Sequence, residues 1–143
     1  MHRIILGILC CFNLSACSIA PDTVVMKDVD VNNWNEAISV EFNNDTEQAR
    51  DLSIALHVNS LFDTNKIALQ IKMYSPDSLY HVEQVHLPCI MEWSQPTASS
   101  ADIELPYRQN VRLKCKGKYI FEITPLTSIA GVEAAGINFK ADK

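Results

Sequence analysis

The sequence lacks the motifs by which many enzymes and metalloproteins are identified. Glycine is scarce, with four residues in 143, and neither a glycine-rich phosphate loop nor a Gly-x-Ser-x-Gly turn is present. The ligand spacing of a structural metal site is also missing, because the chain has no Cys-x-x-Cys and no paired-histidine helix motif. His81 and His86 lie five residues apart and should point to opposite faces of a strand. We therefore predict a non-enzymatic protein with no catalytic residues, no cofactor and no metal.

Positive charge is in short supply and unevenly distributed. The chain has 12 Lys and Arg against 17 Asp and Glu, a formal net charge of −5, which argues against nucleic acid as a partner. Residues 22–104 contain 14 acidic and 4 basic side chains, whereas residues 105–143 contain 3 acidic and 7 basic ones. This asymmetry indicates either pairing between the two parts within one fold or a bipolar surface, and we favour pairing.

The apolar run at the N-terminus is too short to cross a membrane. Residues 4–14 would span about 16 Å as a helix, against a hydrocarbon core of about 30 Å. Because the run follows the basic start Met1-His2-Arg3, it is typical of a secretory signal peptide. It ends in Leu14-Ser15-Ala16-Cys17, which resembles a bacterial lipobox, the signal in which the cysteine thiol is acylated and the chain is cut before it.

A lipobox implies a membrane anchor and sets the domain organisation. We predict a signal peptide over residues 1–16, the lipidated Cys17 and a tether over residues 17–23, and one domain over residues 24–143. Buried acyl chains contribute about 0.8 kcal/mol per methylene, so several chains together hold a protein permanently. The alternative is an ordinary signal peptide with an incidental cysteine. If the lipobox is used, Cys10 and Cys11 are removed with the signal peptide.

Two further cysteines, Cys89 and Cys115, remain in the domain. In an oxidising export compartment they could form a disulfide that closes a loop of about 25 residues and stabilises the fold by about 3 kcal/mol. The alternative is two separate buried thiols, since free cysteine is among the most buried residue types.

Period-two alternation dominates the rest of the chain and predicts half-buried strands. It places Ile38, Val40 and Phe42 on one face of "AISVEF", Leu52 to Val58 (even numbers) on one face of "DLSIALHV", and Ile67 to Met73 (odd numbers) on one face of "IALQIKMY". "LYHVEQVHL" is predicted to be bulged, because Val82 and Val85 differ in parity. "ADIEL", "NVRLKC", "KYIFEI" and "VEAAGINF" complete the set.

Turn signals separate these segments at intervals near ten residues, and no amphipathic helix is evident. The pattern favours an all-β fold: a single antiparallel β-sandwich, Ig-like or jelly-roll-like, of eight or nine strands. A small barrel is the nearest alternative. Gly117 in "CKGKY" predicts a tight hairpin turn, because glycine readily adopts the positive φ that such turns require.

The segment "RQNVRLKCKGK" contains the most concentrated positive charge. Its alternation places Arg112, Lys114 and Lys116 as a cationic ladder on the outer face of one strand. This ladder is a candidate interaction surface for an acidic partner protein or an anionic glycan. The alternative function is protection of an edge strand against aggregation, for which lysine is commonly used.

Trp34 and Trp93 lie outside the predicted strands. Loop tryptophans can stack on sugars, which makes both residues candidates for a glycan-binding platform. More often such a side chain caps the end of a core, because its large apolar area is costly to leave in water. The burial of the two indoles distinguishes these alternatives.

The order of features resembles the gliding-motility lipoprotein H family (GldH) of Bacteroidetes. The resembling pieces are Trp34 before "ISVEFNND", then "ARDLSIALHVNSLFDTNKIALQI", "SPDS" and "GKYIFEITPLTSIAGVEAAGINF". They cover most of residues 24–140. The segments "TPLTSIAGV" and "HLPCIMEWSQPTASSADIE" depart from the family pattern.

The resemblance implies a lipid-anchored envelope β-sandwich that is accessory to the gliding machinery. We therefore expect an interaction subunit with an envelope protein as partner. A glycan-binding lipoprotein is the alternative. The absence of Asp directly after Cys17 favours the outer membrane over the inner membrane by analogy with enteric bacteria.

Overall fold

The structure, a computed structural model, describes residues 22–89 and 99–141. Within these residues the chain forms eight β-strands and no helix. They are β1 (Thr23–Asp28), β2 (Ile38–Asn44), β3 (Arg50–Asn59), β4 (Lys66–Tyr74), β5 (Tyr80–Pro88), β6 (Ser100–Val111), β7 (Gly117–Pro125) and β8 (Val132–Ala141).

The strands form two four-stranded antiparallel sheets that pack face to face. One sheet has the order β1-β8-β3-β6 and the other β2-β7-β4-β5. The predicted antiparallel β-sandwich is therefore confirmed. Of the two predicted subtypes, this strand order is that of a jelly roll, in which two interlocked Greek keys pass repeatedly between the sheets.

The facing sides of the sheets form one hydrophobic core. The predicted inward residues of β2, β3 and β4 lie on this side, with Ile38 and Met73 half-buried and the rest buried. At its centre, the ring of Phe139 stacks on Phe42 with centroids 4.1 Å apart and lies 5.4 Å from Phe121. Each such side chain contributes about 1.5–3 kcal/mol when fully buried, so the inter-sheet contact dominates the stability.

Three strand predictions differ from the structure. Strand β1 was not predicted as a strand, because its sequence "TVVMKD" shows no alternation. In the structure it is an edge strand that pairs with β8. "ADIEL" and the start of "NVRLKC" belong to one long strand, β6, with register irregularities near Leu52 instead of a break. Strand β5 pairs with β4 in unbroken register, so the predicted bulge is absent.

The predicted hairpin at "CKGKY" is also wrong. Gly117 does have positive φ, at 127°, but β6 and β7 belong to different sheets. The turn therefore carries the chain across the sandwich. The hairpin among the described connections is the one between β4 and β5.

Successive strands run in opposite directions, so the connections collect at two ends of the sandwich. We define the entry end by the connections 45–49, 75–79 and 112–116. The described chain also begins and finishes there, where the amide of Ala141 donates a hydrogen bond of 2.9 Å to Asp22 Oδ1. We define the far end by the connections 29–37, 60–65 and 126–131.

Candidate functional site

A groove lies at the far end, under the connection between β1 and β2. Its volume is about 370 Å³. The connection is held in place by a short antiparallel bridge, in which Trp34 and Ile129 exchange backbone hydrogen bonds of 2.9 and 3.0 Å. The groove is lined by Asp28, Val29, Asp30, Asn33, Trp34, Asn35, Glu36, Ala37 and Ile38.

Exposed carboxylates and amides give this groove its chemistry. Asp28, Asp30 and Glu36 are all exposed, and Asp30 Oδ1 accepts a hydrogen bond from the Asn32 amide at 3.0 Å. The lining includes no serine, cysteine or histidine, and the described residues contain no group of three or more side chains suited to hold a metal ion. The groove can accept cationic or hydrogen-bond-donating groups.

The two tryptophans named from the sequence have different outcomes. Trp34 is 1% exposed, and its indole nitrogen donates to the Glu36 carbonyl at 2.9 Å. It caps the far end of the core, and its ring cannot stack on a sugar. Trp93 lies outside the described residues.

The predicted cationic ladder is not on a strand. Strand β6 ends at Val111, so Arg112, Lys114 and Lys116 lie in the connection that crosses the entry end. Their side chains are exposed while Leu113 between them is buried, so the predicted alternation holds although the strand does not. The buried Asn44 amide fixes this connection, donating 2.9 Å hydrogen bonds to the carbonyls of Leu113 and Cys115.

Charge pairing between the two parts of the sequence is confirmed for some of the basic side chains. Ion pairs join Arg108 to Glu83, Lys118 to Glu41 at 3.7 Å and Lys140 to Glu104 at 2.5 Å. The described residues provide no such ion pair for Arg112, Lys114 or Lys116. These three basic side chains lie together at the entry end. The bipolar surface predicted as the alternative is therefore present in part.

Of the two alternatives for Cys89 and Cys115, the structure shows separate thiols, since both are free, with Cys89 buried and Cys115 half-buried. The Cys89 amide donates to the Asn65 carbonyl at 2.8 Å, which places it at the far end beside the start of β4. Cys115 lies at the entry end, beyond the other end of β4. Nine strand residues separate these positions by about 27 Å, whereas a disulfide needs Cα atoms within about 7 Å. Burial raises the pKa of the Cys89 thiol.

A polar cluster that sequence reasoning missed joins the outer edges of the two sheets. Glu83 of β5 accepts hydrogen bonds from the Tyr107 hydroxyl and the Arg108 guanidinium of β6. Burial acts to raise the pKa of Glu83, but these hydrogen bonds outweigh it and lower the pKa below its ordinary value. Burial, followed by the hydrogen bond to Glu83, raises the pKa of Tyr107. At neutral pH the cluster is thus an ionised Glu83 held by two donors.

The cluster borders a second cavity of about 220 Å³ between the sheets. Its inner wall is apolar and includes Leu52, Ile71 and Phe121. The cluster was missed because the sequence did not show which residues of β5 face inward. The strand has no bulge, so Glu83 faces inward opposite Ile71 and Val82 lies on the outer face. The cluster clamps the sheet edges together.

The lipobox and Cys17 lie outside the described residues, as does the tether up to residue 21. Within residues 22–89 and 99–141 no helix has the length and apolarity needed to cross a bilayer. Comparison with known proteins finds no matching family model, no matching curated protein and no matching solved structure.

Proposed function

We propose that this protein is a non-enzymatic, lipid-anchored subunit of the cell envelope that holds a partner protein in the acidic groove at the far end. Cys17 would carry the lipid, and the partner would present basic or hydrogen-bond-donating side chains to Asp28, Asp30 and Glu36. Anchoring confines the domain to a thin layer, so that weak contacts suffice for assembly.

The observation that carries this proposal is the position of the groove relative to the chain entry. Asp22, the residue nearest the proposed anchor, lies at the entry end, and the groove lies at the opposite end of strands β1 and β2. A domain tethered through Asp22 therefore presents the groove away from the membrane. The carboxylates and amides of the lining support binding of a basic partner surface.

The resemblance to the gliding-motility lipoprotein H family suggests the process. On this basis we propose an accessory role in the gliding machinery, with the anchor in the outer membrane. A glycan-binding function is less well supported, because the ring of Trp34 is buried.

Site-specific photocrosslinking in the native envelope tests the groove. A photoreactive residue in place of Asn35, which lines the groove, should give a discrete crosslinked product. Asn43 provides a matched control, since it is an exposed asparagine on the outer face of β2.

Charge reversal then tests the chemistry of the contact. Glu36→Lys should abolish the product formed at position 35, while Glu41→Lys, an exposed glutamate outside the groove, should leave it unchanged. Equal products at positions 35 and 43, or none at position 35, would show that the groove is not the partner site.

A further inference from the structure

The entry end exposes large apolar side chains on the hairpin between β4 and β5. Leu79 is 66% exposed and Tyr80 is 54% exposed. Tyr74 faces Tyr80 across the hairpin with ring centroids 5.0 Å apart. Leucine is costly to leave in water, and tyrosine is enriched at the boundary between membrane and water.

The hairpin holds these side chains in a fixed position. The Ser75 amide donates to the Leu79 carbonyl at 3.0 Å, and the Ser78 amide donates to the Ser75 carbonyl at 3.1 Å. The Ser75 hydroxyl also accepts from the Leu79 amide at 3.1 Å. The exposure of Leu79 is therefore built into a closed turn.

The cationic connection lies directly beside this hairpin. A Cβ atom at Gly117 would lie 3.1 Å from the Pro76 side chain, and Asp77 is hydrogen-bonded to Cys115. Arg112, Lys114 and Lys116 thus belong to a connection that contacts the hairpin, and their side chains are exposed. Apolar and tyrosine side chains next to lysine and arginine are the combination found where proteins lie on an anionic lipid surface.

The acidic residues of this end have other positions or partners. Asp22 accepts from the Ala141 amide at the β1 edge, and Asp51 accepts from the Asn110 amide at 2.8 Å. Asp77 turns its carboxylate towards Ser75 and Cys115. Asp45 and Glu47 belong to the connection after β2, at the opposite edge of the sheet from β5.

The proposed anchor brings the entry end within reach of the lipid. Four residues separate Cys17 from Asp22, so the two positions lie at most about 18 Å apart. The chain enters along β1 at one edge of the sandwich, whereas the hairpin lies at the other edge, three strand spacings or about 14 Å away. An anchor at one edge and a contact at the other would hold the sandwich upright on the membrane.

We propose that Leu79 and Tyr80 enter the headgroup region of the bilayer that carries the anchor, with Arg112, Lys114 and Lys116 at the level of the phosphates. This proposal rests on the lipid anchor of the proposed function. It gives the protein a second point of attachment and a fixed orientation, with the acidic groove pointing away from the lipid.

Tryptophan quenching by brominated lipids tests the contact. The acylated mature chain is reconstituted into vesicles of phosphatidylethanolamine and phosphatidylglycerol, with or without brominated acyl chains. Leu79→Trp should lose most of its added fluorescence in the brominated vesicles. Leu61→Trp is the matched control, because Leu61 is 59% exposed at the far end and should lose none. Trp34 and Trp93 are common to both variants and cancel in the comparison.

The outcomes separate the two proposals. If the protein floats with the vesicles but the Leu79→Trp signal is not quenched, the second contact is wrong and the anchor stands. A blue-shifted but unquenched signal shows that a second copy covers the hairpin, which also overturns the lipid contact. If the protein does not float with the vesicles, the anchor itself is wrong and this inference falls with it.

Discussion

The two ends of the sandwich are built from connections of different charge. The described far-end connections are acidic, with Asp30, Glu36 and Asp63 and no lysine or arginine. The entry-end connections carry charges of both signs: Arg112, Lys114 and Lys116 together with Asp45, Glu47 and Asp77. The charge asymmetry of the sequence is partly neutralised across the sheets and partly retained between the ends. A sandwich of this shape can therefore face two different partners along one axis.

The largest expected effect concerns the proposed anchor at the entry end. Cys17→Ala removes the thiol on which acylation depends, and the domain should move from the membrane fraction to the soluble fraction. Fractionation followed by immunodetection measures this, with Cys89→Ala as the control that keeps Cys17. Full membrane retention of Cys17→Ala would show that Cys17 does not anchor the entry end.

Two glycine substitutions compare how tightly the two ends are packed. Gly131 at the far end has φ of 84°, and an added Cβ would lie 2.2 Å from the Phe62 nitrogen. Gly131→Ala should therefore lower the free energy of unfolding by about 3 kcal/mol or more, since the clash adds to the strain.

The entry-end counterpart should cost less. At Gly117 the added Cβ meets only the Pro76 side chain, at 3.1 Å, so Gly117→Ala should cost about 1–2 kcal/mol from backbone strain. Urea denaturation measures both variants. A larger loss at Gly117 than at Gly131 would contradict the packing described for the two ends.

Glu83→Gln should lower stability by about 1–2 kcal/mol at neutral pH, because it weakens two hydrogen bonds to a charged acceptor. The pKa of Glu83 in the folded protein lies below its ordinary value of 4.5. Its carboxylate therefore stabilises the fold above pH 4.5, and this contribution disappears as the pH falls through the lowered pKa.

The difference between wild type and Glu83→Gln should accordingly shrink in acid. Denaturation at a series of pH values measures it, with Glu41→Gln as an exposed control that should change stability little. A difference that stays constant down to low pH would mean that the clamp does not depend on the charge of Glu83.

The smallest expected effect is on the stability of the cationic connection. Lys114→Gln and Lys116→Gln should each change the free energy of unfolding by less than about 0.5 kcal/mol, because both side chains are exposed. At low salt the same substitutions should reduce the quenching of Leu79→Trp, since each cation near an anionic surface contributes about 1 kcal/mol. A large loss of stability would instead assign these lysines a role within the fold.

Alternation in the sequence was enough to predict the sandwich and the inward residues of β2, β3 and β4, because burial on one face imposes a period of two. It did not reveal β1, whose "TVVMKD" lacks alternation at the sheet edge. Positive φ at Gly117 was correctly expected, yet a turn of this kind serves a hairpin and a crossing between sheets equally well. The sequence therefore could not decide which strands the turn joins.

The candidate sites were harder to predict than the fold. The acidic groove consists of loop carboxylates and amides without a motif, and backbone contacts such as the bridge between Trp34 and Ile129 bring them together. The clamp between Glu83 and Tyr107 depends on the parity of β5, which Val82 and Val85 left ambiguous. The sequence could not decide between a disulfide and two separate thiols, because spacing along the chain says nothing about which end of a strand each cysteine occupies.

The pairing of β1 with β8 has a consequence for how the protein is made. Among the described strands, β1 pairs within its sheet only with β8, the last strand, so the sheet cannot close until the C-terminal residues have been made. Contacts between such distant parts of a chain form slowly. During synthesis, β1 therefore has no strand partner in its sheet until β8 has been made, and a chain cut short before β8 could not complete the sandwich.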